Sequence, residues 1–171
     1  GEPFVNKRLN SLLQMASDKG FVSEIFSNLQ YLPSWFSELN PLESRIGRVQ
    51  VSVYSSDQEV HDAITKRTGS FTRTLKNIEF LRTRRFYVEV ATPLMKDNLA
   101  SWKRTRDFFA RLGVPQNFSW PIVNEYYSGK PGKSDLNISP EQFRQFVDEN
   151  KGFLIETRFD ENPNAPICEA G

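Results

Sequence analysis

The sequence predicts an α/β protein: a parallel sheet with outer helices, forming a partial (β/α) barrel. Three observations predict it. Strand-like segments end near Ser27, Tyr54, Ala91 and Val123, which is one every 27 to 37 residues. Helical periodicity fills the intervals between them, the rhythm of βα units. Residues 1–4 run directly into a helical stripe, so a strand is expected ahead of Gly1, and the first strand of the sheet is expected to be missing from this segment.

The elements follow in order. Val5, Leu9, Leu12 and Ala16 recur at helical spacing, and Lys19-Gly20 stops that helix. Residues 21–26 are apolar and β-prone, and residues 34–42 read as a second helical stretch. Residues 48–54 (RVQVSVY) alternate on valines and form the strongest strand signal in the chain. Ser70 is expected to cap a long helix that carries Phe71, Leu75, Ile78 and Leu81 on one face. Residues 86–91 read as a strand broken by Thr92-Pro93. Leu99, Trp102, Phe109 and Leu112 mark a third long helix, stopped at Gly113. Residues 118–123 are strand-like, but Pro121 argues against a central strand. Residues 126–135 (YYSGKPGKSD) read as an exposed loop. Ser139-Pro140-Glu141-Gln142 is a helix start, and residues 153–157 suggest one more strand.

Composition narrows the function classes. The 171 residues include 22 Lys+Arg against 21 Asp+Glu, a net charge of +1 that gives no general field for nucleic acid or an anionic membrane. Arg82, Arg84 and Arg85, and the basic residues of 103–111, therefore read as solvated helix faces. The 14 Phe and 3 Trp supply core material for one domain or a large piece of one. No apolar run is long enough to span a bilayer. Cys168 stands alone, which excludes an internal disulfide and any site that needs several thiolates from this chain. A cytoplasmic location is expected, and both ends of the chain read as cut from a longer protein.

In βα folds the loops at the carboxyl ends of the strands carry ligands. Gly1-Glu2-Pro3, Ser27-Asn28, residues 52–56 and Thr92-Pro93 all fall there. His61, the only histidine, reads as a residue that orients its loop through Asp62 rather than as a base.

These residues resemble the radical S-adenosylmethionine (SAM) enzymes. Gly1-Glu2-Pro3-Phe4 is similar to the tail of that family's Gly-Gly-Glu-Pro motif, and Ile25-Phe26-Ser27-Asn28 to its third strand ending. Residues 49–57, then 60–65 and Gly69-Ser70-Phe71, match its fourth strand and the following loop. Residues 92–98 (TPLMKDN) look like a segment of members that modify ribosomally made peptides, and residues 166–171 (PICEAG) like the opening of a SPASM extension. The resemblance implies a fold of the radical SAM type, with a core fragment over residues 1–125. The end of the core and a connecting region would span 126–160, with the start of the extension at 161–171. It implies reductive cleavage of SAM at a [4Fe–4S] cluster and hydrogen abstraction from a substrate, a peptide or small protein, with an electron donor as second partner. Neither nucleic acid nor membrane is implied.

Site residues follow from the same resemblance. Gly1, Glu2 and Pro3 would hold the SAM ammonium through the Glu2 carboxylate and turn carbonyls, with Ser27 and Asn28 at the neighbouring strand end. Ser52 would donate to the SAM carboxylate or ribose. Cys168 would ligate an auxiliary iron–sulfur cluster. Two departures stand out. The family's cluster cysteines, spaced C-x3-C-x2-C, are absent from this chain, so the ligands of the catalytic [4Fe–4S] cluster are expected outside it, and no catalytic residue is named within it. Thr65 stands where some members place the arginine that meets the SAM carboxylate. The competing reading is a βα-fold module without redox chemistry that binds a nucleotide or anionic ligand. Tyr126 and Tyr127 would contact substrate or cover the barrel mouth.

Overall fold

The computed structural model describes residues 1–120 and 136–150. The chain divides into two compact units, Gly1–Ile138 and Ser139–Gly171. The first unit holds helix α1 (Leu9–Asp18), strand β1 (Ser23–Ser27), α2 (Ser34–Glu38), β2 (Ile46–Ser52), α3 (Gln58–Thr65), α4 (Ser70–Thr83), β3 (Val88–Pro93), α5 (Trp102–Arg111) and β4 (Gln116–Ser119). Short 3-10 turns occupy Pro3–Val5 and Leu99–Ser101. Among the described residues the strands form one sheet in the order β1-β2-β3-β4, every pair parallel. This is the α/β, parallel-sheet architecture the spacing predicts. In the second unit α6 (Pro140–Glu149) begins with the expected capping box, in which Ser139 and Gln142 satisfy each other's backbone.

The sheet has two unlike faces. Ile25, Val49, Val51, Val88 and Val90 lie on one face and are almost fully buried, in a core shared with Phe36, Phe71, Ile78, Leu81 and Phe109. Each such side chain contributes about 1.5–3 kcal/mol by leaving water. The intervening residues, Glu24, Phe26, Arg48, Gln50, Ser52, Glu89 and Ala91, lie on the opposite face because successive side chains alternate along a strand. Phe36 is the hub of the aromatic core, with Phe4, Phe86 and Trp35 at ring-centroid distances of 4.9, 5.0 and 5.6 Å.

The structure corrects several local expectations. In α1 the buried face is Leu9, Leu13 and Ala16. Leu12 is half exposed, and Val5 belongs to the preceding 3-10 turn, where it faces solvent. Phe21 and Val22 precede β1 and are exposed. The second helical stretch closes after Glu38. Residues 58–65 form a helix rather than a loop, capped by the Asp57 side chain. Ser70 is not a cap: Gly69, at φ 74°, takes that position because its left-handed backbone suits glycine. The last described strand runs from Gln116 to Ser119, earlier than the apolar pattern at 118–123 suggests, and β3 continues through Thr92-Pro93. The expected loop at 126–135, strand at 153–157, and Tyr126, Tyr127 and Cys168 lie outside the described residues.

Candidate functional site

The first carboxylate in the chain fastens the entry segment to the end of β1. Glu2 Oε1 accepts from the Phe4 N–H at 3.2 Å and from the Ser27 hydroxyl at 2.7 Å, while Oε2 accepts from the Asn28 N–H at 2.9 Å. A carboxylate offers about four acceptor positions, so one remains. Phe4, buried against Phe36, holds the turn from the core side. The predicted residues Glu2, Ser27 and Asn28 are thus brought into direct contact. Gly1, Glu2 and Pro3 also line a groove of about 660 Å³ whose apolar wall includes Leu9, Leu13 and Phe26.

The turn after β1 is over-determined. Leu29 is fully buried with φ 52°, a conformation that costs a branched residue about 1–2 kcal/mol. Its N–H donates to Ser27 Oγ at 2.8 Å, and its carbonyl accepts from Asn77 at 2.9 Å. The Thr74 hydroxyl donates to the Asn28 carbonyl at 3.0 Å. Helix α4 therefore holds the turn that carries Asn28.

Ser52 ends β2, one residue beyond Val51, the register partner of Ser27. Ser27 shares the buried helix side with Val51, whereas Ser52 is on the other face, so the two hydroxyls do not converge. The Ser52 hydroxyl has no hydrogen-bond partner among the described residues.

Asp62, not His61, organises the loop between α3 and α4. Its carboxylate accepts from the Gly69 N–H at 2.6 Å, the Ser70 hydroxyl at 2.7 Å and the Phe71 N–H at 2.9 Å. Burial pushes its pKa up, but the bonds from Phe71, Ser70 and Gly69 outweigh that and hold it below the usual carboxylate range. Thr65 turns inward, sharing a 2.7 Å contact with Ser70 Oγ.

His61 is 1% exposed, and its Nδ1 accepts from the Tyr54 N–H at 3.2 Å. Burial lowers its pKa from 6.5, against the opposing pull of Asp62. Because the unfolded chain then binds the proton more readily, this stability is fully present above 6.5 and is lost as pH falls from there through the folded value. Between pH of about 7.5 and 5 the thermal midpoint should fall more steeply in the wild type than in His61→Gln, which keeps an acceptor but does not titrate. Circular-dichroism melts across that range check this, and parallel profiles would clear His61 of the role.

One polar feature escaped the sequence reading. On the open face Arg48 Nη2 meets Glu24 at 2.6 Å and Nη1 meets Glu89 at 2.6 Å, with Asn117 donating to the other Glu89 oxygen at 2.5 Å. The signal was present in β2, where Arg48, Gln50 and Ser52 alternate with valines. Strands buried on both faces read as continuous apolar runs instead.

For an iron–sulfur cluster the described residues contain no group of His, Cys, Asp or Glu that fits. For SAM the fit is better: Glu2 keeps an acceptor position and Ser52 a donor, both at carboxyl ends of adjacent strands. Among the described residues no helix is long and apolar enough to cross a membrane.

No family model matches the chain. It is 24% identical over 148 residues to the AdoMet-dependent heme synthase of Nitratidesulfovibrio vulgaris, covering 86% of this chain and 39% of that protein. It is 27% identical over 162 residues to the Bacillus subtilis antilisterial bacteriocin subtilosin biosynthesis protein AlbA, covering 91% of this chain and 34% of that protein. The chain therefore spans little more than a third of the curated relatives it matches. Among solved structures, native anSMEcpe with bound AdoMet and Cp18Cys peptide superposes with a TM-score of 0.66 at 14% identity, over 90% of this chain and 44% of that one. Motif order, sequence similarity and a shared parallel α/β fold agree: the chain resembles the radical SAM enzymes.

Proposed function

We propose that this chain is part of a radical SAM enzyme that binds SAM at the carboxyl ends of β1 and β2 and acts on a peptide. The observation that carries the reading is the Glu2 carboxylate, locked by Ser27 and Asn28 with one acceptor position to spare. In this reading Glu2 takes the SAM α-ammonium, helped by backbone carbonyls of Gly1 and Pro3. Ser27 and Asn28 keep the carboxylate aimed, and Ser52 donates to the carboxylate or ribose of the ligand. When bound, SAM reduced at a [4Fe–4S] cluster supplies hydrogen abstraction from a substrate carbon. The chain's own residues bind and orient.

The cluster ligands would come from elsewhere in a longer protein, because this chain has one cysteine. Residues 1–125 would be core, 126–160 a connection, and 161–171 the start of a SPASM-type extension in which Cys168 ligates an auxiliary cluster. A peptide substrate is supported by the bacteriocin role of AlbA and by the peptide bound to anSMEcpe. An electron donor and a cytoplasmic location complete the proposal.

Glu2→Gln in the cluster-reconstituted full-length protein tests it. Gln keeps one acceptor oxygen but loses the charge, and a charge-assisted bond contributes about 1.5–3 kcal/mol. SAM affinity in calorimetric titration should fall about tenfold or more, while the visible absorbance of the cluster stays unchanged. Equal affinity in the variant removes Glu2 from the site.

A further inference from the structure

Four polar side chains in residues 92–105 are buried. Thr92, Asn98, Ser101 and Thr105 are exposed by 1, 1, 3 and 0%. All four reach the loop that follows β2. The Thr92 hydroxyl donates to the Val53 carbonyl at 2.7 Å. Asn98 Nδ2 donates to the Tyr54 carbonyl at 2.8 Å and to the Pro93 carbonyl at 2.9 Å, while Oδ1 accepts from the Met95 N–H at 2.9 Å. The Ser101 hydroxyl bonds to the Asn98 carbonyl at 3.0 Å and lies 2.9 Å from the hydroxyl of the buried Ser55. Thr105 Oγ1 accepts from the Ser56 N–H at 2.9 Å.

Apolar residues would fill this space with no desolvation cost, so the network does not owe its presence to burial alone. What hydrogen bonds add is direction. Asn98 is the centre: both its N–H donors are used, one on the carboxyl end of β2 and one on that of β3. It therefore sets the spacing of the two strand ends, and with it the course of the chain that directly follows Ser52.

We propose that Asn98 is a positioning residue: it fixes the Tyr54 carbonyl, and with it the 52–56 loop, in the arrangement that SAM binding at Ser52 requires. This rests on the functional reading above. Asn98→Asp is the sharpest variant. It is nearly isosteric and keeps the acceptor for Met95, but it turns an oxygen toward the Tyr54 and Pro93 carbonyls. Ile78→Val, in the core between α4 and the sheet, serves as a control that lowers stability without touching the loop.

Two measurements decide. In the ligand-free protein, amide hydrogen exchange at residues 53–57 should quicken about tenfold in Asn98→Asp and stay near wild type in Ile78→Val. In the cluster-reconstituted full-length protein, calorimetry should show SAM binding weakened about tenfold in Asn98→Asp and within about twofold of wild type in the control. If Asn98→Asp is too unstable to assay, Ser101→Ala should show the same contrast at about threefold. Wild-type affinity in Asn98→Asp overturns the proposal, as does an equal loss in the control. Failure of the wild type to bind SAM overturns the functional reading and this inference with it; wild-type binding with an unaffected variant overturns this inference alone.

Discussion

Phe36→Ala should lower the stability of the first unit by about 3–5 kcal/mol, the range for deleting a large buried aromatic side chain. Phe36 is fully buried and touches Phe4, Trp35 and Phe86, so no single neighbour can move in to fill the void. In thermal melts this should appear as a loss of roughly 10 °C or more. The effect should extend to the site, because Phe4 anchors the turn that presents Glu2. A loss below about 1 kcal/mol would mean that the aromatic core repacks, and the account of Phe36 as its hub would fail.

The second large effect is expected at Arg48→Met. Glu89, with its side chain 14% exposed, would keep only Asn117 as a partner, while Glu24, 46% exposed, would be rehydrated. Breaking a fully buried ion pair costs about 3–5 kcal/mol; the Arg48–Glu89 pair is only partly buried and costs less, and the half-exposed Glu24 side is screened and contributes at most about 1. A net loss of about 2–3 kcal/mol is therefore expected in urea unfolding. Double-mutant cycles should place most of the coupling on Glu89 and little on Glu24. Equal couplings, or a neutral Arg48→Met, would contradict this account.

The sequence was most informative where one short pattern decides the outcome. The alternation of residues 48–54 placed β2, and the Ser139–Gln142 pattern placed α6, because local chemistry alone settles both. Helix α3 was hidden because its cap, Asp57, and its anchor, Asp62, act through groups up to nine residues away in the chain. The start of β4 was misread because Gln116 and Asn117 are poor strand formers held in place by their neighbour β3. The site divided in the same way. Glu2, Ser27 and Asn28 could be named from strand ends and motif order. Asn98 could not, since its partners Tyr54, in the loop after β2, and Pro93, at the end of β3, meet only in the folded chain.

The order β1-β2-β3-β4 has a consequence for how the protein is made. From β2 to β4 each strand pairs with the one synthesised just before it, and the helix between them is complete by the time the second strand leaves the ribosome. Among the described strands none has to wait for a distant partner or slip between two already joined, so this part of the sheet can extend one βα unit at a time behind the exit tunnel. As β1 to β3 are made, the newest strand carries the growing edge, and the next unit to emerge covers it.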